Sequence, residues 1–179
     1  MATPTALPAS FTAGDVLTAA NMNLLRGAFR ILQVVSTTKT DTFTSSSVSY
    51  VDVTGLSATI TPTSADSKVF AIVTLTGSGQ AAVTSGFFQL VRDSTAIAIG
   101  DTAGSRIRAS TVFGSEGSPQ FSAGITYLDS PATTSATTYK VQVALAAAGN
   151  VYLNRANSDT DATTRARTVS SITVFEVSA

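Results

Sequence analysis

The sequence predicts an all-β protein: an antiparallel β-sandwich of jelly-roll type with about nine to eleven strands, preceded by an extended N-terminal arm and one short helix. Three observations predict it. From Arg30 onward apolar residues recur with period two, the spacing of a half-buried strand. Turn residues interrupt that alternation every 8–12 residues or so, as in antiparallel sandwiches and barrels. Thr and Ser supply 52 of the 179 residues, 29 and 23 respectively. Thr is β-branched and favours strands, and both residues favour turns. No helical period recurs between the strands, which argues against βαβ units. An immunoglobulin-like sandwich is the second choice, although its Cys–Trp–Cys signature is missing.

Residues 1–29 read as a unit separate from the β domain at 30–179. Pro4 and Pro8 lie amid Ala, Thr and Ser, the composition of an extended arm. In "TAGDVLTAANMNLLRGAF" (12–29), Gly14 and Asp15 make a turn and Thr18 is the expected N-cap, with Leu17 and Met22 as a hydrophobic staple around it. The helix is expected to run to about Gly27, a natural stop. Met22, Leu25 and Phe29 form a narrow apolar stripe. So short a helix is marginal alone in water, so it is expected to dock onto something.

The strands follow in order. Residues 30–43 give the first. Residues 48–62 give two short strands about a turn at Thr54 and Gly55, with Leu56, Ala58 and Ile60 on one face. Residues 67–79 place Val69, Ala71, Val73 and Leu75 together, and Phe70 and Ile72 on the other side predict burial on both faces. Residues 85–100 give two strands around Asp93 and Ser94. Further strands are expected at 105–114, 119–129, 137–147, 150–155 and 167–179.

Composition narrows the function. The chain has no Cys, His or Trp, which excludes disulfides, thiolate metal sites and the commonest general base. Basic and acidic residues balance at 11 each, so nothing suggests nucleic acid or an anionic membrane as partner. The N-terminus has no basic, apolar signal pattern, and no apolar run reaches the roughly 18 residues of a membrane span. Synthesis without export is expected, as are no membrane partner and no cofactor.

Among candidate sites, Asn157, Asp159 and Asp161 alternate as oxygen ligands do in a calcium loop, but the required Gly and terminal Glu are absent, so a plain Asx turn is favoured. Ser130, in "DSP" (129–131), has no His or nearby Lys in sequence to activate it. Carboxylate pairs for glycan hydrolysis would have to come from nine Asp, Glu116 and Glu176, without the aromatic platforms that sugar sites use. An enzyme is not expected. Arg106 and Arg108 share one side of an expected strand, as do Arg165 and Arg167 if that segment is extended. They could pair across a subunit boundary with Asp93, Asp101, Asp159 or Asp161, or could form a solvated edge. Leu17, Met22, Leu25 and Phe29 are the candidate anchoring residues. A carbohydrate-binding alternative would need Trp or Tyr platforms, for which Tyr50, Tyr127, Tyr139 and Tyr152 are available.

The segment "TAGDVLTAANMNLLRGAF" resembles the opening of many tailed-bacteriophage structural proteins. The stretches "ILQVVSTTKTDTF", "VDVTGLSATITP", "FFQLVRDSTAIAIGDTAGSR", "YLDSPATTSATTYKVQV", "VYLNR" and "SSITVFEV" look like a β module common in phage and prophage tail-fibre or virion proteins. The resemblance implies a non-enzymatic virion component, a homotrimer, whose N-terminal part docks on other capsid or tail proteins while the β domain lies outside. Fibres with this opening often carry coiled-coil or collagen-like shafts. Neither is present, which points to a compact spike or a capsid decoration. A receptor-recognition module binding host surface glycan at the tail is the alternative.

Overall fold

The structure, a computed structural model, describes residue 16 and residues 30–80, 85–114 and 120–178. The expected arm and helix, and with them Leu17, Met22, Leu25 and Phe29, lie outside the described residues. Eleven strands occur among those residues, and no helix. They are β1 (Ile31–Lys39), β2 (Phe43–Ser45), β3 (Val51–Ile60), β4 (Lys68–Gly79), β5 (Ser85–Arg92), β6 (Thr95–Ile97), β7 (Thr111–Gly114), β8 (Gln120–Asp129), β9 (Thr137–Leu145), β10 (Val151–Leu153) and β11 (Ser170–Val177).

The strands form two antiparallel sheets. In the first, β8 pairs with β4 along its whole length, from Val69 opposite Asp129 to Ser78 opposite Gln120. The other edge of β4 is shared: β11 takes residues 68–74 and β10 takes 77–79. Beyond them β1 pairs with β11 and β2 with β10. The sheet is therefore four columns wide, β1 and β2 forming one column and β11 and β10 the next. The second sheet is built likewise. Its column order is β3, β9, β5, and then β6 and β7 sharing the last edge of β5.

One core joins both sheets. Val69, Ala71, Val73 and Leu75 of β4 are buried, as the alternation predicts, and meet Leu56 and Ile60 of β3, Leu90 of β5 and Val141 of β9. Burying each Val, Leu or Ile side chain among them contributes about 1.5–3 kcal/mol. At one end three rings fill the gap: Phe113 stacks on Phe121 at 4.3 Å, and Phe88 lies 5.6 and 5.8 Å from the two. Gly86 makes room for this cluster, because a Cβ there would collide with the Phe113 ring.

Four sequence expectations are corrected. Thr54 and Gly55 are not a turn between two strands. β3 is continuous, and Gly55, at φ 80°, sits in a bulge between Asp52 and Ser57. Gly adopts that φ without steric cost, so the strand bends instead of ending. The expected strand at 105–114 begins only at Thr111, so Arg106 and Arg108 lie in the 98–110 loop. The first strand is broken at 40–42 into β1 and β2. Finally, Phe70 and Ile72 are not covered on the outer side of β4: Phe70 is half-buried and Ile72 is exposed.

Candidate functional site

The most built-up irregular segment is the 154–169 excursion, where the chain leaves the first sheet after β10 and returns as β11. Asn154 starts it at φ 62°, a left-handed conformation that Asn tolerates better than most residues. Its fully buried side chain closes the break in two columns at once. Nδ2 donates to the carbonyls of Lys39 and Asp41, both at 2.8 Å, and Oδ1 accepts from Ser170 Oγ at 2.7 Å. Its backbone N–H donates to Thr76 O, and its carbonyl accepts from Thr168. An isolated antiparallel bridge between Arg155 and Arg167 then seals the neck of the loop.

The charges of this loop are organised around Asp159. Its Oδ2 accepts from Arg167 Nη2 at 2.7 Å and lies 3.7 Å from Arg155 Nη1. The Arg155 guanidinium in turn sits 4.0 Å over the centre of the Tyr152 ring. The only loop carboxylate of the Asn157, Asp159, Asp161 set that makes an ion pair is thus engaged by arginine. No group of three or more Asp, Glu, His or Cys is placed to hold a metal ion among the described residues. Arg155, Thr76, Gln120, Ser122, Thr168 and Phe121 border a half-open groove of about 320 Å³ beside the loop. Two of its hydroxyls are engaged internally: Thr76 Oγ1 is 2.8 Å from both Thr168 Oγ1 and Val169 O.

The other arginines are dispersed. Arg108 Nε donates to Gly100 O at 2.6 Å, and Tyr50 Oη donates to Arg108 O at 2.8 Å, which pins the 98–110 loop. Arg106 donates its backbone N–H to Ala103 O, and Arg165 does the same to Ala162 O. Arg167, a candidate for an intersubunit pair, finds Asp159 in its own chain.

Two buried carboxylates escaped sequence reasoning because their partners are distant in the chain. Asp129 accepts from Arg92 Nη1 at 2.9 and 2.8 Å and from Tyr139 Oη at 2.7 Å, tying β8 of one sheet to β5 and β9 of the other. Burial, and then the bond to Asp129, hold the Tyr139 phenol well above its usual range. Glu176 is fully buried, and its Oε1 accepts from the N–H and Oγ1 of Thr63, both at 2.7 Å. Burial pushes this carboxyl up, but the hydrogen bonds from Thr63 and its turn outweigh it and hold the pKa below the usual carboxylate range. Each acid anchors structure. The Ser130 reading needs a correction, because folding brings Lys68 Nζ within 2.8 Å of Ser130 Oγ. Both groups are solvent-facing, and an ammonium that donates to the hydroxyl oxygen cannot take its proton.

The tyrosines do not gather either. Tyr139 is core, Tyr127 packs against the core, Tyr152 lies under Arg155, and Tyr50 is tied to Arg108. No protein-family model matches this chain, and no curated protein matches it.

Proposed function

We propose that this chain is a non-enzymatic structural component of a tailed-bacteriophage virion. In this reading it is a homotrimeric surface module, a compact tail fibre, spike or capsid decoration, docked on other virion proteins through residues 1–29. The observation that carries the reading is the resemblance of residues 12–29 and of the β stretches to phage structural proteins.

The topology supports it. Numbered along the chain, the eight strand columns lie in the order 1-8-3-6 in one sheet and 2-7-4-5 in the other. Columns 1 and 8, 2 and 7, 3 and 6, and 4 and 5 are partners, as when one long hairpin is rolled into two layers. We read this as a jelly-roll sandwich, an architecture recurrent in viral capsid and lectin domains. Each buried carboxylate described above is committed to a structural hydrogen bond, which fits a shell that performs no chemistry.

The test is an epitope-tagged copy expressed during phage growth, with purified particles imaged after gold labelling. Label on the capsid or the tail is expected, and its loss when residues 1–29 are deleted would identify the anchor. Particles that contain none of the tagged chain would overturn the reading.

A further inference from the structure

Arg155 is placed unlike the other ion-paired arginines. Arg92 donates twice to Asp129, and Arg167 donates to Asp159 at 2.7 Å. Arg155 stands 3.7 Å from that same Asp159 oxygen, longer than a hydrogen bond. Its side chain is only 17% exposed, and its guanidinium makes no hydrogen bond among the described residues. Guanidinium donors so far removed from water are rarely left without acceptors, because nothing replaces the lost hydration. The Tyr152 ring, 4.0 Å from the guanidinium carbon, offsets part of that cost through its π face.

Arg155 borders the groove of about 320 Å³ beside the loop, and it is the one charged residue among the described residues that line it. Tyr152, Ser78 and Gln120 lie in register across three columns at this end of the first sheet. The guanidinium stands over the first of them, and Gln120 is the third, about 10 Å away at the usual strand spacing. Ser122 lies in the next row, opposite Thr76. Thr76 and Thr168 are bonded to each other. The Gln120 carboxamide and the Ser122 hydroxyl have no hydrogen-bond partner among the described residues. Gly77, Phe121 and Ala166 complete the lining and make part of it apolar.

We infer that this groove binds a carboxylate-bearing sugar residue, with its acid on the Arg155 guanidinium and its hydroxyls on Gln120 and Ser122. Charge selects the acid. Arg155 and Arg167 share one carboxylate, Asp159, which leaves one positive charge unmatched. Asp161 and Arg165, elsewhere in the loop, add one charge of each sign. One carboxylate balances the excess and fits the fork of the guanidinium. A doubly charged phosphate would overbalance it and lie close to Asp159. The other polar groups select the sugar. A carboxamide and a hydroxyl each donate and accept, as sugar hydroxyls require, while Phe121 and Ala166 suit the C–H face of the ring. Size agrees, because about 320 Å³ is at the small end of ligand sites, room for a sugar ring and little more. The site does not depend on the virion reading, and its failure would leave that reading intact.

The experiment is calorimetric titration of the full chain with methyl glucuronide and methyl galacturonide, with their neutral methyl glycosides, with acetate, and with a short oligosaccharide ending in the same acid. At least one acidic glycoside is expected to saturate with a dissociation constant in the millimolar range. Its neutral counterpart, lacking the charge, and acetate, lacking the ring, are each expected to bind roughly 10-fold more weakly or worse. The oligosaccharide separates two sources of the same chemistry: affinity kept or raised assigns a chain end, and affinity lost assigns the free acid. Arg155→Gln is expected to weaken the acidic glycoside roughly 10-fold or more, and Gln120→Ala about 5-fold. Lys140→Gln, on the other sheet, is expected to leave it unchanged. Gln120 is exposed, so its variant keeps the test open if Arg155→Gln unsettles the loop, and melting curves check both. Absence of saturation by either acidic glycoside far above the millimolar range overturns the site. Equal binding of the neutral glycoside or of acetate overturns it too, as does wild-type affinity in both folded variants.

Discussion

Replacing Asn154 by Ala removes three side-chain hydrogen bonds in one step. The carbonyl of Asp41 is beside solvent and recovers water. The carbonyl of Lys39 and the hydroxyl of Ser170 belong to buried residues and do not. An unpaired buried polar group costs about 1–3 kcal/mol, and the Ser170 hydroxyl, which still accepts from Thr76 N–H at 3.2 Å, costs less, so these two cost about 1–4 kcal/mol. Ala must also hold a φ of 62°, which adds about 1 kcal/mol. A loss of about 2–5 kcal/mol is expected, a large share of the whole stability of many domains. Urea unfolding at one fixed protein concentration, followed by circular dichroism, measures it. Asn154→Gly separates the two terms, because Gly accepts the φ but makes none of the bonds. It should recover about 1 kcal/mol relative to Ala. A loss below about 1 kcal/mol in Asn154→Ala would refute the view that this side chain locks the excursion to the sheet.

Glu176 gives a pH prediction. Its folded pKa lies below its unfolded one, so its stabilisation is present above the unfolded value and fades as pH falls through the folded value. Thermal melts should therefore fall steeply below about pH 4.5, and Glu176→Gln should flatten that acid limb while lowering the melting point at neutral pH. Gly77→Ala is expected to destabilise by about 1–3 kcal/mol or more, because its Cβ would collide with the Tyr152 carbonyl, which is backbone and cannot swing away. Added calcium is expected to leave the melting temperature unchanged, since Asp159 is engaged by Arg167 and Arg155; a saturable rise would restore the calcium-loop reading.

Much of the fold was legible locally. Val69, Ala71, Val73 and Leu75 face the core because side chains alternate along any strand, and that much follows from the spacing alone. Gly55 is ambiguous in sequence because a glycine in an alternating run signals a turn or a bulge equally, and only the partner strand β9, which continues past it, decides. The spacing of Arg106 and Arg108 predicts a strand, but Ser105 ends a turn and the ladder forms only where β5 offers a partner, at Thr111. The 154–161 stretch reads as an Asx-rich turn, yet nothing in it announces that Asn154 would reach Lys39 and Asp41. The Arg92, Asp129 and Tyr139 cluster left no local signal either, because its three members come from β5, β8 and β9.

By itself the sequence determined the all-β class, the approximate strands and the inward-facing residues, since each depends on covalent geometry within a few neighbours. Tertiary structure alone decided which strands pair, and hence which outward side chains become neighbours. Val34, Phe70, Leu128 and Phe175 are scattered over some 140 residues, and Phe70 was expected to be covered. Backbone hydrogen bonding sets the register of four distant segments, and that register lines these four side chains up on a face that no other part of the described chain covers.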